Sequence, residues 1–134
     1  MDDNPHFRVR PTNAAFRESN KLFLSDTERL WGINQLKLLR HWPPGLFEPE
    51  VYGGDLDYSR IDHTGVCFYE LRLHDACLSQ GGNLRVFFWV DEGRRTVWIL
   101  HAYFKKTQRL DEVVKRRVAR RIHELRGRIQ DGDA

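Results

Sequence analysis

The sequence has few of the residues that cross-link a chain or anchor it in a membrane. Only two of its 134 residues are cysteine, Cys67 and Cys77, and no CxxC or HxxxH spacing accompanies them. We therefore interpret both as reduced thiols and predict no disulfide, metal site or cofactor. The longest apolar run is Val86 to Val90, far shorter than the roughly 20 residues of a membrane-spanning helix. The acidic N-terminus has no apolar run behind it, so we expect a cytoplasmic protein without membrane contact.

The composition is that of one folded domain. Hydrophobic residues make up 40% of the chain and aromatic residues 12%, which argues against wholesale disorder. A length of 134 residues suffices for one core without covalent staples. We predict a single domain over residues 1–134, with 127–134 as a frayed tail.

The net charge of +3 conceals a strong asymmetry along the chain. Residues 105–128 contain ten Lys or Arg against three acids, a net charge of +7, which leaves −4 for the remainder. A concentrated basic segment suits a polyanion, because neutralising phosphates releases counterions. The alternative interpretation is a solvated helix face.

Apolar spacing and caps predict two helices after a short first strand at 7–10, which Pro11 ends. Thr12 or Asn13 can cap a helix that runs to about residue 24. Ser25 and Glu28 fit a capping box for a second helix over 26–41, with enough apolar residues for a wide buried face. The Pro- and Gly-rich stretch 43–65 is interpreted as a long exposed loop.

Alternating and β-branched segments predict three further strands, at 66–74, 84–90 and 96–104. A hairpin turn at 91–95 places Gly93 where a positive φ is needed. A basic helix over 108–126, ended by Gly127, follows. The predicted fold is α+β: two N-terminal helices packed on a mainly antiparallel sheet of about four strands, plus the C-terminal basic helix.

The second half of the chain resembles a known toxin family. The segments that carry the resemblance are, in order, Tyr69-Glu70-Leu71-Arg72, Leu84-Arg85-Val86-Phe87-Phe88, His101-Ala102-Tyr103-Phe104-Lys105-Lys106-Thr107-Gln108 and the basic helix. At these distances they resemble the phage-derived, HigB-like branch of the RelE/ParE toxin superfamily. The resemblance covers about the last 65 residues, and the first half agrees in element order only. It implies a RelE-like fold.

What the resemblance implies about function is the toxin of a type II toxin–antitoxin pair. Such toxins are endoribonucleases that cut messenger RNA at the ribosome by metal-independent attack of a 2′-hydroxyl. The implied partners are mRNA, the ribosome and a cognate antitoxin with a helix-turn-helix domain. Two alternatives stay open: a ParE-like inhibitor of DNA gyrase without nuclease activity, and a non-toxic adaptor that keeps the fold.

Such cleavage requires proton transfer at two oxygens and fixed cations at the phosphate. Arg85 interrupts an apolar strand, aligns with the family's phosphate-binding arginine, and has a planar fork that holds two oxygens. His101 has an ordinary pKa suited to acid–base work. The predicted catalytic residues are Arg85, Lys105, Lys106, His101 and Arg72. The predicted RNA-binding residues are Tyr103, Lys115, Arg116, Arg117 and Arg120.

Each of these residues also has a structural interpretation. Arg85 can be an exposed strand residue paired with an acid, and Glu70 and Arg72 can pair with neighbours on the sheet. His101 can be a hydrogen-bonded core residue, and Tyr103 can be core. The basic helix can equally be the surface that an acidic antitoxin segment covers. The sequence also departs from the RelE archetype, because Glu70 stands where a cation is expected and the last helix lacks the expected tyrosine. The general acid and base therefore stay unassigned.

Overall fold

The computed structural model describes residues 7–23, 25–42, 57–73, 84–104 and 112–132. Within them, two helices lie on one face of a sheet and a third helix lies on the other. The strands are β1 (Arg8–Pro11), β2 (Asp57–His63), β3 (Val66–Leu73), β4 (Leu84–Asp91) and β5 (Thr96–Phe104). The helices are α1 (Asn13–Leu22), α2 (Asp26–Lys37), which a 3-10 helix (Leu38–His41) continues, and α3 (Glu112–Gln130). The predicted α+β architecture is confirmed.

The sheet has the strand order β1-β5-β4-β3-β2, so β1 and β2 are its edges. β2 to β5 are antiparallel neighbours, whereas β1 runs parallel to β5 and makes the sheet mixed. β1 pairs with β5 only from Thr96 to Ile99. The rest of β5 therefore has no β1 neighbour on that side, which matters for the site described below.

Both N-terminal helices begin where their capping residues predict. The Thr12 hydroxyl accepts a hydrogen bond from the backbone N–H of Ala15 at 3.2 Å. The Ser25 hydroxyl accepts from the backbone N–H of Glu28 at 3.2 Å. Each cap satisfies an N–H group that has no partner within its helix.

The prediction of a wide buried face on the second helix is wrong. Leu30 is 59% exposed and Ile33 is 42% exposed. Leu39 of the 3-10 turn and Trp42 after it are buried in the core, and Trp31 and Leu36 of α2 are half-buried against it. The earlier turns lie beside α1, where a Cβ on Gly32 would come within 2.5 Å of the Phe23 ring. The apolar count overestimated burial because it does not show which turns meet the sheet.

The predicted loop at 43–65 contains a strand. β2 pairs with β3 through a two-residue turn in which Thr64 (φ 48°) and Gly65 (φ 81°) both have positive φ. Positive φ at both central residues suits a tight hairpin, because the turn then matches the twist of the strands. The strand was missed because DYSRIDH is mostly polar, as an edge strand allows. Residues 43–56 lie outside the described residues.

Two glycine assignments also need correction. In the β4–β5 turn the positive φ falls on Arg95 (φ 50°) and not on Gly93. α3 continues through Gly127 to Gln130, and Gly132 (φ 81°) follows its end. The extension is stabilised because Ile129, one turn after buried Leu125, packs on the same core. The predicted helix start at 108–111 lies outside the described residues.

Each face of the sheet carries its own core. The core facing α1 and α2 includes Leu71, Val86, Phe88 and Ile99. The core facing α3 includes Phe68, Phe87, Trp98 and Leu100, with a helix stripe of Val114, Val118, Ala119, Ile122 and Leu125. Cys67 is a free thiol, and Cys77 lies outside the described residues. Among the described helices, none is both long and apolar enough to cross a membrane.

Candidate functional site

Four of the predicted site residues lie in two adjacent rows on the α3 face of the sheet. Strand pairing places Arg72 opposite Arg85, and Arg85 opposite Tyr103. The neighbouring row contains Glu70, Phe87 and His101. Side chains alternate between sheet faces, so both rows share the face on which Phe68 and Phe87 pack against α3. The structure thus brings together Arg72, Arg85, His101 and Tyr103.

Arg72 is held by two side-chain contacts. Its Nη1 donates to Glu70 Oε1 at 2.8 Å, and its Nη2 donates to Ser59 Oγ at 2.6 Å. Glu70 is 6% exposed, so this ion pair is shielded from water. Arg72 and Glu70, two residues apart on β3, therefore pair with each other. The contacts direct the guanidinium toward Glu70 and toward Ser59 of β2, and the Arg72 side chain is 23% exposed.

Arg85 lies in an environment that disfavours a cation. It is 9% exposed, and its side-chain hydrogen bond to a described residue, from Nη1 to the Leu84 carbonyl, is long at 3.5 Å. Among the described residues, its buried Nε atom has no hydrogen-bond partner and no carboxylate forms an ion pair with it. Its cross-strand neighbour is another arginine, Arg72, and like charges in that position are destabilising. Arg85 is therefore placed to receive an anion.

His101 lies at the centre of an ionic cluster that the sequence did not reveal. Its Nδ1 atom is 3.0 Å from both carboxylate oxygens of Glu18 in α1. Arg121 of α3 donates from Nη1 and Nη2 to the same carboxylate, each at 3.0 Å, and from Nη1 to the Leu100 carbonyl at 2.7 Å. We call Glu18, His101 and Arg121 the ionic cluster.

Burial sets the direction of the pKa shift at His101, whereas hydrogen bonds set it at Glu18. Burial lowers the pKa of His101, and the Arg121 and Arg117 charges act in the same direction, although contact with Glu18 opposes them. For Glu18, burial acts to raise the pKa, but the hydrogen bonds from Arg121 and His101 outweigh it and leave that pKa lowered. His101 is therefore neutral and Glu18 ionised near neutral pH. The His101 Nε2 atom is buried and has no hydrogen-bond partner among the described residues.

A β-bulge turns His101 toward this face of the sheet. The β4–β5 register shifts between Phe87 and Phe88, which pair with His101 and Ile99, so Leu100 is the extra residue. Leu100 packs in the α3-side core, and the His101 ring lies parallel to that of Phe87 on the same side. Without the extra residue, alternation would direct His101 to the opposite face. The bulge lies beyond Ile99, where β1 no longer covers β5, and Glu18 reaches His101 there.

Tyr103 completes a group of three nearly parallel rings. Its ring lies 5.4 Å from that of His101 and 6.1 Å from that of Phe87. It is half-buried, whereas Phe87 is fully buried. The partial exposure leaves an aromatic edge next to Arg85, its neighbour across the strands.

The predicted RNA-binding residues of α3 divide into two groups. Arg117 is half-buried and lies one helical turn before Arg121, and its charge acts on His101, so it borders the site. Arg116 and Arg120 are exposed, and Arg120 is 3.9 Å from Glu124. Lys115 Nζ is 2.7 Å from Glu112. The helix therefore offers one cation at the site and an exposed basic surface beside it.

Two predicted catalytic residues cannot be located in the structure. Lys105 and Lys106 directly follow β5 but lie outside the described residues. Among the residues that the structure does describe, no group of three or more His, Cys, Asp or Glu side chains is placed to hold a metal ion.

The fold is similar to that of chains in two solved toxin–antitoxin complexes. The archaeal RelE–RelB complex of Pyrococcus horikoshii OT3 contains a similar chain, with a TM-score of 0.50, 19% identity, and coverage of 72% of this chain and 92% of that one. The RelBE2 toxin–antitoxin complex of Mycobacterium tuberculosis contains another, with a TM-score of 0.51, 17% identity, and coverage of 78% and 98%. At these identities the likeness shows the fold.

The family follows from the sequence match. Residues 24–123 match the family model described as "Phage derived protein Gp49-like (DUF891)". The chain belongs to this Gp49-like family, and the predicted RelE/HigB-like membership is confirmed. A search of curated proteins finds no match.

Proposed function

We propose that this protein is the toxin of a type II toxin–antitoxin pair and that it cuts messenger RNA during translation. The observation that carries the proposal is the pair of opposed arginines, Arg72 and Arg85, on a largely apolar sheet. A fold stabilised only by packing gains nothing from two cations in that position. Arg72 pairs with Glu70, whereas Arg85 forms no ion pair with a described carboxylate, so an RNA phosphodiester would supply the negative charge at Arg85.

The geometry supports a division of labour at the scissile phosphate. The Arg85 and Arg72 guanidinium groups hold its non-bridging oxygens and stabilise the extra negative charge of the phosphorane. Tyr103 stacks on a neighbouring base, and Arg117 holds an adjacent phosphate. Because the 2′-hydroxyl is the nucleophile, DNA is not a substrate.

The cleavage step needs no metal ion or co-reactant beyond the RNA. The 2′-oxygen forms a bond to phosphorus, the bond from phosphorus to the 5′-oxygen breaks, and the products carry a 2′,3′-cyclic phosphate and a 5′-hydroxyl. His101 takes the 2′-hydroxyl proton through Nε2, and Lys105 or Lys106 donates a proton to the leaving oxygen. Because Nε2 is buried, this assignment requires a local rearrangement that exposes it when RNA binds.

The exposed basic surface of α3 is assigned to macromolecular partners. Arg116 and Arg120 can contact ribosomal or messenger RNA, and an acidic antitoxin segment would compete for the same charges. The similar chains of known structure come from toxin–antitoxin complexes, which supports an antitoxin partner. We assign it a helix-turn-helix domain, and we place the activity in the cytoplasm, where translation occurs.

The test is to map RNA ends after a brief induction of the protein in growing cells. We expect cuts within translated regions, dependence on translation, and 2′,3′-cyclic phosphate ends. Arg85→Met should remove the cuts and the growth arrest, whereas Arg60→Met, which changes an exposed arginine paired with Asp62, should retain both. Growth arrest with intact messages would contradict the proposal. Inhibition of DNA gyrase supercoiling by the purified protein would point instead to the alternative function.

A further inference from the structure

The ionic cluster joins three elements that are distant in sequence. Glu18 comes from α1, His101 from β5 and Arg121 from α3, and the shared carboxylate is 26% exposed on its side chain. All four of its donor–acceptor distances to the other two residues are 3.0 Å. Such a cluster can simply hold the three elements together, or it can in addition control the chemistry of the histidine.

We propose that Glu18 and Arg121 are positioning residues that fix His101 as its Nδ1–H tautomer and hold the β-bulge that directs His101 and Tyr103 toward Arg85. This inference rests on the proposed function for its catalytic consequence. Its structural part concerns this chain alone and is tested without RNA. Glu18 lies in the N-terminal half, where the family resemblance provides no site residue.

The tautomer follows from a count of hydrogens around Arg121. Its Nη1 nitrogen carries two hydrogens, and it donates to Glu18 Oε1 at 3.0 Å and to the Leu100 carbonyl at 2.7 Å. Both hydrogens are thereby used, so the 3.3 Å approach of Nη1 to His101 Nδ1 is not a third hydrogen bond. Nδ1 instead faces two carboxylate oxygens, which only accept, and it must carry the proton.

The consequence is a defined proton acceptor. In a neutral imidazole with the proton on Nδ1, Nε2 holds the lone pair. Nε2 is the atom that has no hydrogen-bond partner among the described residues, so it remains available for the proton of an RNA 2′-hydroxyl. A carboxylate that orients a histidine in this way acts on the chemistry without touching the substrate.

The second role concerns the backbone. The Leu100 carbonyl belongs to the extra residue of the bulge, and Arg121 donates to it at 2.7 Å. A bulge leaves a residue outside the regular strand pairing, and β1 does not cover β5 beyond Ile99. Arg121 therefore supplies a partner for a carbonyl in a part of the sheet where the ladder is interrupted. Loss of this bond should loosen the direction of both His101 and Tyr103.

The first experiment records the nitrogen chemical shifts of the histidine rings in the purified protein, with His101→Gln to assign the signal. At pH 7 the wild type should show the proton on Nδ1. In Glu18→Gln the Nδ1–H form should cease to dominate, and the titration midpoint of His101 should move to lower pH because its anionic partner is gone. Glu18→Asp should retain the wild-type tautomer, and so should Glu124→Gln, which changes an exposed glutamate of α3. An unchanged tautomer in Glu18→Gln would overturn the inference.

The second experiment measures RNA cleavage by the same proteins. Glu18→Gln should lower kcat by about tenfold to a hundredfold with little change in KM, because substrate contacts are intact and only the orientation of the base is lost. Glu18→Asp should restore part of that loss, and Glu124→Gln should cleave like the wild type. Wild-type cleavage by Glu18→Gln would refute the catalytic role. If the wild type itself cuts no RNA, the proposed function fails, while the tautomer measurement still decides the structural part.

Arg121→Met tests the role of the bulge. It should speed amide hydrogen exchange in β5 around Leu100 and leave exchange in β3 unchanged, because the interrupted ladder lies only between β4 and β5. Thermal unfolding of every variant establishes that it is folded before activity is compared. Equal exchange in β5 of Arg121→Met and wild type would show that the arginine does not hold the bulge.

Discussion

Replacing Arg85 with methionine should make the protein more stable while it removes the activity. Methionine fills a similar elongated space without a charge, so packing on β4 is largely kept. The guanidinium is 9% exposed and has one long hydrogen bond to a described residue, at 3.5 Å. Its removal also relieves the repulsion from Arg72, its direct cross-strand neighbour.

The size of the effect follows from three contributions. Two unit charges about 6 Å apart repel by roughly 3 kcal/mol at an effective dielectric constant of about 20. Attraction to the nearby Glu70 carboxylate, which Arg72 holds at 2.8 Å, offsets most of that repulsion. What remains is the desolvation of a poorly hydrogen-bonded cation, about 1–3 kcal/mol. For a chain of this length each kcal/mol corresponds to about 3–5 °C in Tm.

The assay is urea and thermal unfolding followed by circular dichroism, at low and at moderate salt. Arg85→Met should unfold at higher urea and higher temperature than the wild type, and Arg85→Lys, which keeps the cation, should not. Arg60→Met is the matched control, because it removes an arginine that is 64% exposed on its side chain and should change stability by less than about 0.5 kcal/mol. If Arg85→Met destabilises the protein by more than about 1 kcal/mol, Arg85 is a structural residue and this reasoning is refuted.

Three further predictions concern the fold and its response to pH. Ile122→Ala, at a fully buried position between α3 and the sheet, should lower the free energy of unfolding by about 2–5 kcal/mol in urea titrations. Gly65→Ala should lower it by about 1 kcal/mol, because alanine at a φ of 81° is strained, and calorimetry measures the fall in Tm. Burial lowers the pKa of His101, so below pH about 6.5 the unfolded chain binds a proton that the folded protein still rejects. Stability should therefore fall as the pH drops below that value, and denaturation curves should show a smaller fall in His101→Gln.

The sequence correctly predicts helices and strands whose formation depends on residues close together in the chain. Thr12 and Ser25 identify the starts of both N-terminal helices because a cap depends only on residues within one turn. β3, β4 and β5 follow from alternation and from β-branched and aromatic residues. Arg72 and Arg85 could be chosen as candidates because they stand in short patterns that resemble a family, and the structure places them opposite each other.

The remaining features depend on tertiary contacts that no local pattern encodes. β2 is a polar edge strand, and Thr64 and Gly65 supply its turn without a strong apolar signal on one side. Leu30 looked like a core residue, but its exposure depends on which turns of α2 meet the sheet. Glu18 contacts His101 across 83 positions of sequence and around an incompletely covered edge of β5. A glutamate at position 18 is visible in the sequence, but no spacing in the sequence indicates that His101 is its partner.

Unusual polar and charged groups on the α3 face of the sheet lie close together, which supports a single site. Most of the α3 face is dry, aromatic and well packed, as an unstrained sheet would be. Several departures from that rule lie within two adjacent rows. They are an arginine opposite an arginine, a buried carboxylate beside them, a histidine whose Nε2 atom has no hydrogen-bond partner among the described residues, and the bulge that turns it inward. Two arginines opposite each other and a buried nitrogen without a partner each disfavour folding. Under the proposed function, an RNA phosphodiester bound beside Arg85 would neutralise that cation and present a 2′-hydroxyl proton to His101 Nε2.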